Sequence, residues 1–133
     1  MKYFKILLVG LLVISFMACD TEEVTKSRTE LLTQKVWSFD VATGTPDQAD
    51  FIDAINTDWQ GLTIDFKTDG TYTVVQPGET SGGTWELDSS EKNILLDKGT
   101  VDEWNWFIMN LSETELYLNT QIDNSNSFGI YFK

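Results

Sequence analysis

The chain contains no histidine, a single cysteine (Cys19) and two prolines in 133 residues, and its nine basic side chains face twenty-one acidic ones, for a net charge of −12. Each shortage excludes something. Without histidine there is no Ser-His-Asp triad, no zinc site of the common His-containing kind and no side chain that ordinarily titrates between about pH 5 and 8. With one cysteine there is no intrachain disulfide, so the fold must rest on its core. With so few Lys and Arg, nucleic acid is a poor partner, because its affinity comes chiefly from basic groups neutralising phosphates, and peripheral binding to anionic lipid heads is disfavoured for the same reason. No glycine-rich loop joins a strand to a helix as a phosphate cradle would require. Asp102 and Glu103 are adjacent, and neighbours on an extended strand point to opposite sides, so they make no glycosidase pair. The expectation is a protein that is not an enzyme and needs no cofactor or metal.

What the chain does have is concentrated first at its start. Lys2 and Lys5 precede an apolar run from Ile6 to Met17, interrupted only by Gly10 and Ser15. A run of roughly a dozen residues is too short to span a bilayer comfortably and has the length of a signal-peptide core. Phe16-Met17-Ala18-Cys19 closes it, with a small residue directly before the cysteine. This pattern resembles a lipobox, which implies removal of residues 1–18 and lipidation of Cys19. One acyl chain holds a protein only marginally, whereas two or more anchor it stably.

From Cys19 to about Thr29 the sequence is polar and charged (Asp20, Glu22, Glu23, Lys26, Arg28) without hydrophobic period, and reads as a flexible acidic tether. The acids after Cys19 resemble the export tract of surface lipoproteins in the Bacteroidota, while Asp20 itself resembles the inner-membrane retention signal of enterobacterial lipoproteins. The two rules depend on the host. The localisation expected is the cell envelope, with the outer membrane preferred over the inner and the cell surface as the further extension of the first rule.

Residues 30–133 form one domain, large enough for a real core. Strand-like runs recur there with turn chemistry between them: 35–41, 62–66, 71–75, 83–87, 93–96, 104–111, 114–119 and 127–132. Leu62, Ile64 and Phe66 alternate with Thr63 and Asp65, and Thr68-Asp69-Gly70 supplies a tight turn into Thr71–Val75. About eight strands suit a small closed barrel. Thr45-Pro46-Asp47-Gln48 carries helix-start chemistry, and Phe51, Ile52, Ile55 and Trp59 recur at helical spacing, so a short helix over 46–56 is expected between the first two strands, lidding or plugging a barrel end. Asp47, Asp50 and Asp53 on it read as a solvated face. Gln76–Gly83 and Thr120–Ser127 read as long polar connections.

The order of Lys35-Val36-Trp37, Ile64-Asp65-Phe66-Lys67-Thr68-Asp69-Gly70-Thr71-Tyr72, Gly82-Gly83-Thr84-Trp85-Glu86-Leu87, Asn93-Ile94-Leu95-Leu96 and Trp106 to Leu116 resembles small lipocalin-like lipoproteins of the Bacteroidota. The resemblance spans about Leu31 to Lys133. It implies an all-β fold, an antiparallel up-and-down barrel of calycin type, and a cavity without a defined ligand.

The aromatic load is heavy, with five Trp, four Tyr and eight Phe. Core packing accounts for most such rings, since each buries about 150–250 Å². Trp37, Phe66, Tyr72, Trp85 and Trp106 are the candidates for lining a ligand pocket; Trp59 or Trp104 at a rim would suit stacking on a sugar. In Trp104-Asn105-Trp106-Phe107-Ile108-Met109 both alternating faces are apolar, so this strand is expected to be covered on its outside as well, by the helix. Three functions follow: a lipid-anchored envelope module that captures a small apolar or aromatic ligand; a structural or protein-interaction lipoprotein with a solid barrel; or a glycan-binding accessory protein.

Overall fold

Residues 25–121 and 126–133 are described by a computed structural model. The signal segment, Cys19 and the acids that follow it lie outside the described residues. Eight antiparallel strands close into a barrel in sequence order: β1 (Trp37–Thr43), β2 (Thr63–Phe66), β3 (Thr71–Gln76), β4 (Glu79–Leu87), β5 (Asn93–Leu96), β6 (Trp104–Leu111), β7 (Leu116–Gln121) and β8 (Ser127–Phe132), with β8 returning to β1. The expected up-and-down barrel is what forms. Two α-helices accompany it, α1 (Arg28–Thr33) ahead of the barrel and α2 (Ala49–Asp58) between β1 and β2.

The interior follows from strand alternation. Ile64 and Phe66 on β2, Ile94 and Leu96 on β5, Trp106 and Ile108 on β6, Leu116 and Leu118 on β7, and Phe128, Ile130 and Phe132 on β8 are all buried. Each large apolar side chain removed from water in this way contributes about 1.5–3 kcal/mol, which is how a chain without a disulfide holds together. Two bulges reset the phase. Between Phe39 and Val41 the register with β8 shifts by one, so Ala42 rather than Val41 turns inward. Between Ile108 and Asn110 the register with β7 shifts at Met109. A bulge adds twist and bends its strand, which a narrow barrel needs in order to close.

The helices sit at opposite poles. At the pole where β1 begins and β8 ends, α1 buries Leu32, and the Trp37 indole Nε1–H donates to the Leu32 carbonyl (2.9 Å). Ser27 and Glu30 form a reciprocal cap that starts this helix: the Glu30 N–H donates to the Ser27 hydroxyl (3.1 Å), and the Ser27 N–H to the Glu30 carboxylate (2.7 Å). The sequence predicts no helix here: Arg28 and Thr29 fall in the stretch that reads as tether, and residues 30–33 open the domain. At the other pole the segment from Thr45 begins with a single 3-10 turn (Pro46–Gln48), held by the Thr45 N–H donating to Gln48 Oε1 (2.9 Å), and continues as α2. Ile52 and Ile55 face inward, and Asn56 clamps β1 by exchanging hydrogen bonds with the Ala42 N–H and carbonyl (2.7 and 3.1 Å).

Several expectations need correction. Gln76–Gly83 is not a long connection. Pro77-Gly78 is a two-residue turn, Gly78 adopts the positive φ of 86° that such a turn requires, and pairing resumes at once with Gln76 opposite Glu79. Phe51 on α2 remains 41% exposed and meets the buried Phe128 edge to face. The outer face of β6 is not covered by the helix: Phe107 is 42% and Met109 52% exposed, because α2 is clamped to β1 on another side of the barrel. Strand 104–111 and strand 127–132 keep their expected bounds, while β1 and β7 each start two residues later than their sequences suggest.

Candidate functional site

The α1 pole buries Leu32 and Trp37 completely, and the open spaces described below lie at the α2 pole. A turn after β5 builds the polar part of the site. Asp97 takes a left-handed φ of 48° and Gly99 one of 81°, and together they fold the chain back so that the Asp97 side chain lies over β4. It can do so because residue 83 is glycine: a Cβ there would stand 1.9 Å from Asp97 Oδ1. Asp97 Oδ1 accepts from the Thr84 N–H (2.9 Å) and Oδ2 accepts from the Tyr72 hydroxyl (2.6 Å). Burial first, then the bond to Asp97 and the nearby charges of Asp97 and Asp102, hold the Tyr72 hydroxyl protonated well beyond the usual tyrosine range.

Beside this cluster the barrel opens into a cavity of about 330 Å³. Ile64, Val74 and Leu96 supply aliphatic wall, and Trp59, Trp104, Trp106 and Phe132 the aromatic wall, with Leu62 at the α2 side. Tyr72, Gln76, Ser81, Asp97 and Asp102 are the polar members; two of them are carboxylic acids and none is basic. Trp106 is 6% exposed, and its indole N–H is buried without a hydrogen-bond partner among the described residues. An apolar chamber with a few converging polar groups is the usual form of a small-ligand site.

The five sequence-named lining residues divide between packing and cavity. Tyr72 and Trp106 lie in the cavity wall. Trp37, Phe66 and Trp85 pack elsewhere. Trp37 is fully buried beneath α1 with the Lys35 ammonium 4.7 Å from its ring centre. Phe66 and Trp85 meet edge to face with centroids 5.3 Å apart, and the Trp85 Nε1–H donates to the Lys67 carbonyl (2.9 Å) in the β2–β3 turn. The sequence reading did not select Asp97, Asp102 or Leu62 for the cavity. The Asp-Lys-Gly run at 97–99 is the signal that a tight reversal stands there, although nothing in it says which way the carboxylate points.

A larger open cleft of about 910 Å³ lies at the same pole, bounded by Phe51, Ile55, Trp104, Phe107, Asn119 and Phe128 among others. Alternation puts Trp104 and Phe128 on the inner face of the sheet and Phe107 and Asn119 on the outer, so this cleft runs over the lip of the barrel. Trp104 is 47% exposed on that lip, edge to face with Trp106 at 6.5 Å. Asp47, Asp50 and Asp53 are all exposed. Among the described residues no three acidic or cysteine side chains converge to hold a metal ion.

No protein-family model matches the chain, and no curated protein matches it. Among solved structures the fold is similar to the crystal structure of a DUF4847 family protein from Bacteroides vulgatus ATCC 8482, with 18% sequence identity, a TM-score of 0.56, and coverage of 80% of this chain and 96% of that one. At that identity the likeness concerns the fold alone.

Proposed function

We propose that this protein is a lipid-anchored binding module of the cell envelope that captures a small, largely apolar ligand in the open half of its barrel. The observation that carries this reading is the cavity of about 330 Å³, walled by aliphatic and aromatic side chains and reached from the α2 pole. At about 30 Å³ for the volume share of one water, it holds on the order of ten non-hydrogen groups, which suits a single ring with a short side chain rather than a long acyl chain. Anchoring rests on the lipobox-like Phe16-Met17-Ala18-Cys19, and the envelope, in its outer membrane, is the location that goes with it.

Native mass spectrometry of the full chain, purified gently from its own host, tests the capture. A reproducible added mass that leaves on organic extraction is the expected result; a bare chain across repeated preparations and after exposure to host extract overturns it.

A second reading has its own observation. Phe107 and Met109 stand exposed side by side on the outer face of β6, which suits a protein partner in an envelope complex. Cross-linking on intact cells through that face, compared with a Phe107→Ser, Met109→Ser variant, decides it: adducts lost in the variant support the partner, and adducts unchanged remove it.

A further inference from the structure

Within the capture reading, on which this step rests, we infer that the cavity selects a small cationic amine: a ring or branched hydrocarbon body with a protonated amino group at one end. The polar side of the chamber carries two carboxylates, Asp97 and Asp102, and no basic side chain lines it. Lys98, next in sequence to Asp97, is drawn instead to Glu86, which alternates with the inward Trp85 and so faces out. A carboxylate-bearing ligand entering here meets like charge from the half-buried Asp97 and the exposed Asp102. An ammonium group meets the opposite.

Asp97 is already committed to Tyr72 and the Thr84 N–H, which fixes its orientation, and no Lys or Arg among the described residues pairs with it. No hydrogen bond of the Asp102 side chain is formed within the described structure, so its carboxylate is free to meet a ligand. The surrounding rings add to the preference, because the faces of Trp59, Trp104 and Trp106 attract cations. Apolar walls with two acids on one side together describe one molecule: compact, aromatic or branched, cationic at one end.

Calorimetric titration of the full chain with three probes of matched shape tests this: tyramine, tyrosol and para-hydroxyphenylacetate, which carry an ammonium, a hydroxyl and a carboxylate on the same phenol. Tyramine is expected to bind about tenfold or more tighter than the carboxylate, with tyrosol between them, since a charge-assisted contact is strong enough for one decade. Asp102→Asn is expected to weaken tyramine about three- to tenfold and to leave tyrosol within about twofold, because only the charge is removed. Equal binding of all three probes, or a carboxylate preference, overturns the cation inference and leaves apolar capture standing. Failure of all three to bind overturns both, and unchanged tyramine affinity in Asp102→Asn removes the role given to that acid.

Discussion

Asp88 shows how much local order one half-buried carboxylate creates. It stands where β4 turns into β5 and accepts from the Asn93 Nδ2–H (2.8 Å), the Ser90 hydroxyl (2.9 Å), the Lys92 N–H (3.0 Å) and the Asn93 N–H (3.2 Å). The bond from the Asn93 side chain, followed by that of Ser90 and the backbone donors, pulls its pKa down to about 2. A folded-state pKa below the unfolded one stabilises the fold above the unfolded value, near 3.9, and this contribution disappears as pH falls through the folded value. Thermal melts of the native chain and of Asp88→Asn between pH 7 and pH 1.5 should therefore show a gap in Tm that is full above about pH 5 and closes as pH approaches and passes about 2. A gap independent of pH would mean that the turn is held by something other than the charge.

At the scale of elements, α1 is six residues long and buries a single side chain, Leu32, yet it closes one pole and takes up the Trp37 indole. Leu32→Ala should cost about 2–5 kcal/mol in urea unfolding, as cavity-forming substitutions of leucine do. Ser27→Ala should cost only about 1 kcal/mol through the lost cap. The two together separate the packing of this helix from its initiation. The same element marks where sequence reading stops. Eight strands and α2 were legible because alternation and helical spacing extend over several residues each. α1 offers one apolar contact and a Ser-x-x-Glu cap inside a charged stretch, too short for any period to emerge. The first half of β4 was illegible for a related reason: Glu79-Thr80-Ser81-Gly82-Gly83 has no apolar alternation, because its partner surface is the cavity and the bulk of the Asp97 side chain rather than a packed core. The site was half legible. Tyr72 and Trp106 belong to strands whose inward face can be counted off, whereas Asp97 and Asp102 stand in a loop whose aim is set by backbone angles at two residues.

For the whole molecule, the barrel divides into a packed half and a hollow half, and the division follows side-chain size. Trp37, Phe66 and Leu116, all fully buried, fill the first half, while Val74 and Ser81 line the open space of the second and Gly83 makes way there for the Asp97 carboxylate. The proposed lipid attachment belongs to the chain as a whole. Replacing Cys19 by Ala should move the protein from the membrane fraction to the soluble fraction on ultracentrifugation and abolish incorporation of labelled palmitate, because the acyl chains supply the anchoring energy. Membrane retention in that variant would remove lipidation from the account.

The seam between β1 and β8 also sets direction. The Ser38 and Lys133 backbones exchange two hydrogen bonds of 2.9 Å, and α1 leads into the barrel at the same pole, so both described ends of the polypeptide leave from the closed side. The described chain therefore starts and finishes on the side away from the cavity mouth, and the proposed lipid tether would set out from there.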